Sequence, residues 1–144
     1  MIVLPILPSD HHNGPNCGVT AVAVLAGVPF DLAWETVRRL DPKRSPRWRG
    51  TTWWYEQRAA LRHLGAKVEE LPHKGMTLAK FADQHTVKGA AYLVNVTSHC
   101  MALIDGVLVD QRGPMPVAEH PARRQRVKYS ARVTPPVGGP PNHD

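Results

Sequence analysis

Asp105-Gly106, set between two apolar runs, constrains the fold of this chain more than any other pair of neighbours. A two-residue type I′ turn requires positive φ at both central positions, so the runs on either side are predicted to pair as an antiparallel hairpin. The turn sets the register, with Ile104 opposite Val107, Leu103 opposite Leu108, Ala102 opposite Val109 and Met101 opposite Asp110. A period of two then puts His99 on the face shared by Met101 and Asp110, and diagonal neighbours on one face lie about 7–8 Å apart. From there the Asp110 carboxylate can hold one N–H of the His99 ring and fix its tautomer.

A second local signal lies near the start of the chain. Residues Cys17–Ala26 are apolar nearly all round and read as a buried helix, with Asn13 or Asn16 as cap and Gly27 as stop. Cys17 therefore stands at a helix start, where bare backbone N–H groups and a neighbouring imidazolium favour a thiolate over a thiol. Thiol, imidazole and carboxylate together form the nucleophile, base and orienting acid of a triad. Alternation turns Cys100 away from the face that His99 shows to the helix, so Cys100 is expected to be core filler, and this opposes a Cys17–Cys100 disulfide.

The remaining elements follow from periodicity and punctuation. Helices are expected at Asp31–Leu40, capped by Asp31, at Trp53–Leu64, capped by Thr51 or Thr52, and at Thr77–Gln84. The second of these shows Trp53, Ala60, Leu61 and Leu64 on one side. Strands are expected at Ala66–Leu71, Ala90–Val96 and Arg126–Val133, and the basic, aperiodic stretch Lys43–Gly50 as a surface loop. Helices come first and strands later, which argues an α+β fold with N-terminal helices packed on a C-terminal antiparallel sheet. With 144 residues, 42% of them hydrophobic, the chain forms one domain over 1–133, followed by a Pro/Gly-rich tail over 134–144 read as disordered.

A helix-borne thiol followed by a strand-borne His and an acid, in that chain order, resembles the papain-like cysteine peptidases, and among them the small bacteriocin-processing, C39-like branch. The motifs are Asn16-Cys17-Gly18-Val19, the run from His99 through Asp105-Gly106 to Asp110, and Gly50-Thr51-Thr52-Trp53 leading into a helix that ends Leu64-Gly65-Ala66. The resemblance implies a papain-like fold and a hydrolase in which Cys17 attacks a peptide or isopeptide carbonyl, His99 carries the proton and Asp110 orients the ring. Deamidation and transglutamination use the same residues. The resemblance implies a Gln about six residues before the nucleophile as oxyanion donor; His11 stands there instead, leaving His11, Asn13 and Asn16 as the candidates. Gly18, Trp48, Trp53 and Trp54 are candidates for the substrate cleft. The same substitution also admits a chain that keeps the fold and binds a host protein without chemistry.

Charge and composition narrow the partners. The net charge of +6 gathers at Arg38–Arg49 and Arg123–Lys128, with Trp48, Trp53 and Trp54 interleaved with the first group. That pattern reads first as a solvated face with Trp53 and Trp54 in the core, and next as a surface that steers an acidic protein partner or substrate; nucleic acid is not expected, since no nucleic-acid fold motif accompanies it. Eight histidines and two cysteines occur without Cys-x-x-Cys or His-Glu-x-x-His spacing, so no metal or cofactor is expected. His11 and His12 beside Cys17 come nearest to a zinc ligand set. No run approaches the roughly 20 apolar residues that cross a bilayer, and Met1–Pro8 is too short for a signal peptide, so a cytoplasmic location is expected.

Overall fold

The computed structural model describes residues 16–136. Helices α1 (Cys17–Ala26), α2 (Phe30–Arg38), α3 (Trp54–His63) and α4 (Leu78–Gln84) surround six strands, β1 (Lys67–Leu71), β2 (Ala91–Val96), β3 (His99–Ile104), β4 (Val107–Asp110), β5 (Gly113–Pro116) and β6 (Tyr129–Thr134). Every strand pair is antiparallel, and the order across the sheet is β1-β6-β2-β3-β4-β5. The fold class is α+β, as expected. Among the described residues no single helix is long and apolar enough to cross a membrane.

The sheet is covered on both sides, which explains why its strands read as apolar runs rather than clean alternation. On one face α1 lies across β2, β3 and β4, flanked by α2 and α3, and packs against Leu93, Cys100, Ala102 and Val109. On the other, α4 contributes Leu78 and Phe81 to a second core with Tyr92, Val94, Met101, Leu103 and Leu108. A helix apolar all round needs neighbours all round. All nine residues of α1 beyond Cys17 are buried, and Gly27 ends the helix in the left-handed conformation at φ 70°.

The hairpin register is the expected one: Ile104 pairs with Val107, Leu103 with Leu108 and Ala102 with Val109. Asp105 and Gly106 both take positive φ, 49° and 75°. At the other end of β3, Val96 pairs with His99, so a tight turn at Thr97-Ser98 with Ser98 at φ 61° delivers His99 as the first residue of the strand.

Several boundaries differ from expectation. Pro29, not Asp31, holds the N-cap of α2, and the helix ends at Arg38. Neither Thr51 nor Thr52 caps α3; Trp53 is its N-cap, and the Trp53 N–H donates to Glu56 Oε1 at 3.0 Å. Asn16 occupies the N-cap of α1 without a side-chain capping bond. The last strand begins at Tyr129 and runs through Thr134, one residue into the expected tail; residues 137–144 lie outside the described residues. Strand β5 had no expectation, because its two prolines argue against a strand; as an edge strand it tolerates them.

The basic stretch 43–50 is a loop with a structural role. Arg44 reaches from it to the carbonyls of Val37 and Arg38 at the end of α2 and to Glu56 Oε2 at 2.6 Å in the first turn of α3. Its guanidinium also lies 4.4 Å from the Trp48 ring centre. Trp48 packs on Trp34 with ring centres 4.6 Å apart, and its indole N–H donates to the Thr51 carbonyl at 2.8 Å.

Candidate active site

Three elements bring the triad residues together: the first residue of α1, the first of β3 and the last of β4. His99 Nε2 donates to Asp110 Oδ2 at 2.9 Å. The Cys17 side chain lies near enough to act on the same ring, and since Nε2 is engaged by Asp110, Nδ1 is the nitrogen left for the sulfur. The bond to Asp110 and then the neighbouring Cys17 raise the pKa of His99 to about 9, so the ring carries a proton at neutral pH.

Asp110 is almost completely buried, which alone would raise its carboxyl. The donors around it outweigh burial and hold it below the usual carboxylate range. Besides His99, they are the Arg112 backbone N–H, 2.9 Å from Oδ1, and a second imidazole, His120, whose Nε2 lies 3.0 Å from Oδ2. His120 is only 2% exposed. Its Nδ1 accepts the Ala122 N–H at 3.0 Å, so Nδ1 carries no proton and Nε2–H must be the donor to Asp110. His120 had not been anticipated. It sits between the 3-10 turns Val117–Glu119 and Pro121–Arg124, and the edge strand β5 folds these back over β4.

His99, Asp110 and His120 also lie close enough for three ligand atoms to share a metal ion. The tautomer argues against that use. A neutral imidazole that ligates through Nε2 carries its proton on Nδ1, where His120 instead receives the Ala122 N–H. The cluster fits a hydrogen-bonded relay better than a metal site.

The two thiols differ sharply. Cys100 is buried, and burial with the nearby Cys17 pushes its thiol well above the usual range. Cys17 is partly exposed and opens on a cleft of about 640 Å³ at the sheet end. Both thiols are free. The expectation that Cys100 points away from α1 is overturned: it packs into the core with α1, whereas Met101 and Leu103 face α4. His99 reaches Cys17 because it stands at the strand end, beside the start of α1, and not because the α1 side of the sheet carries it.

Of the cleft candidates, Trp53 and Trp54 line the cavity. Trp53 is 67% exposed and Tyr55 61% exposed, so Trp53 is not the core position expected from its helix. Trp54 stacks on Tyr129 across the cleft, with ring centres 5.3 Å apart. Trp48 does not line this cleft and belongs to the α2–α3 junction instead. Gly18 lies beneath Thr52: a Cβ there would overlap the Thr52 hydroxyl. Asn16 is buried beside Cys17, and a Cβ on Gly50 would stand 2.8 Å from its Cβ. His11 and Asn13, with His12, lie outside the described residues. Comparison with known proteins gave no family model, no curated protein and no solved structure that matches this chain.

Proposed function

We propose that this protein is a thiol-dependent acyl-transfer enzyme of papain-like architecture that hydrolyses a peptide or isopeptide bond. The observation that carries the reading is the His99 ring, hydrogen-bonded through Nε2 to Asp110 and set beside the only partly exposed thiol among the described residues. With the proton already held by the His99 ring, the Cys17 sulfur attacks the substrate carbonyl. The C–S bond forms, the carbonyl π pair moves to oxygen, and the tetrahedral intermediate collapses as the leaving amine takes the proton from His99. Water then loses a proton to His99 as it attacks the thioester, and the thiol is regenerated. Asp110, fixed by His120 and Arg112, holds the ring by Nε2 and leaves Nδ1 for proton exchange during the reaction.

The open, aromatic-walled cleft suits an extended polypeptide segment, with Trp53, Tyr55 and Tyr129 as exposed contact surfaces. Arg58 and Lys128 line the same cleft, in keeping with an acidic substrate or partner. The test is alkylation by iodoacetamide at neutral pH, mapped by mass spectrometry. Cys17 should react faster than free cysteine, and His99→Ala should slow it by about tenfold or more. Buried Cys100 should stay unmodified in the folded protein and serves as an internal control. A Cys17 rate equal to that of free cysteine and indifferent to His99→Ala would overturn the reading.

A further inference from the structure

The wall of the cleft above the first turn of α1 carries a hydroxyl and an amide that the triad does not use. Gln57 Nε2 donates to Thr52 Oγ1 at 2.8 Å. A hydroxyl that accepts this bond keeps its own proton to give elsewhere. Both residues line the cleft with Cys17, and Gln57 is itself buried, so its amide fixes where the Thr52 oxygen sits.

Two local costs surround this pair. Position 18, the second residue of α1, is glycine, a poorer helix former than alanine. A Cβ there would overlap Thr52 Oγ1 and stand 3.0 Å from Gln57 Nε2, so the missing side chain is what admits the hydroxyl next to the nucleophile's own peptide. Gln57 Oε1 is buried with no hydrogen-bond partner among the described residues. An unmet buried acceptor of this kind costs about 1–3 kcal/mol. An apolar residue would pack there without that cost, and rules broken locally in this way cluster at functional sites.

We propose that the Thr52 hydroxyl, positioned by Gln57, donates to the oxygen of the acyl group as it becomes negative on Cys17. This rests on the acyl-transfer reading above. When the Cys17 sulfur bonds to the carbonyl carbon, the π pair settles on oxygen over the first turn of α1. There the backbone N–H groups and positive end of the helix dipole face it from one side and Thr52 O–H from another. The hydroxyl keeps its proton throughout; it stabilises charge and transfers nothing. Thr52 thus takes the place of the oxyanion donor expected upstream of Cys17.

Two electrophiles separate this role from a structural one. Iodoacetamide reacts by displacement at a methylene carbon and creates no oxyanion, whereas p-nitrophenyl acetate acylates through one. Thr52→Val removes the hydroxyl at constant shape. It should slow acylation of Cys17 by p-nitrophenyl acetate by about 100-fold while leaving the iodoacetamide rate within about twofold. Thr52→Ser should restore acylation, and Gln57→Leu should reproduce part of the Thr52→Val loss. An unchanged acylation rate in Thr52→Val, or a parallel fall in both rates, overturns the assignment. If the unmodified protein alkylates no faster than free cysteine, the acyl-transfer reading itself fails and the assignment falls with it. Rapid alkylation with acylation insensitive to Thr52 sinks this assignment alone.

Discussion

At the scale of single residues, the electrostatics of the candidate site centre on one imidazole. The folded pKa of His99, about 9, lies above the ordinary 6.5, so its protonated form is the one the fold favours. Its contribution to stability is therefore fully present below about pH 6.5 and is lost as the pH rises through about 9. In urea unfolding at a series of pH values, the stability difference between the unmodified protein and His99→Gln should be largest near pH 6 and shrink toward pH 9.5. A difference constant across that range would mean that the ring is not held by Asp110 and Cys17. Cys17, His99 and Asp110 were legible because turn chemistry and side-chain alternation act over a few neighbours. His120 was not, because the Asp-Gln-Arg-Gly-Pro run reads as the end of a strand and the two prolines of β5 hide the edge strand that returns His120 to Asp110. Gln57 carried no signal of its own, and Thr52 read as a helix cap, since a hydroxyl just before a helix is the usual sign of one.

Among the elements, the junction between α2 and α3 turns a suspicious sequence into an ordinary one. Of the six cations of residues 38–49, which with their tryptophans resemble a ligand-binding patch, three are engaged in ion pairs: Arg38 and Arg39 pair with Glu35, and Arg44 pairs with Glu56. The last pair is the consequential one, because both side chains are nearly buried and Arg44 also satisfies carbonyls at the end of α2. Removing one member of a buried pair strands the other, so Arg44→Met should destabilise the protein by about 3 kcal/mol, measured as a fall in the urea midpoint at unchanged slope. By contrast, the Glu35 pairs are exposed, and changes there should be close to neutral. The composition of the loop was plain from the sequence, but its partners, helix ends on either side, were not.

For the molecule as a whole, the net charge of +6 carries the expectation that nucleic acid is not the partner, since no nucleic-acid fold motif accompanies it. A fluorescent single-stranded oligonucleotide titrated by anisotropy should show no saturable binding that survives physiological salt; tight binding with a steep log-log salt slope would contradict this. The sequence by itself determined the helix that carries Cys17, the register of the Asp105-Gly106 hairpin and the α+β class, because periodicity and turn residues express local backbone preferences. Only tertiary structure decided which layer covers which face of the sheet, and so that Cys100 packs under α1 while His99 meets Cys17 at the strand end. The same holds for His120 behind Asp110 and for Thr52 over Gly18: each depends on distant segments being packed into contact, and no residue's immediate neighbours in the chain encode that.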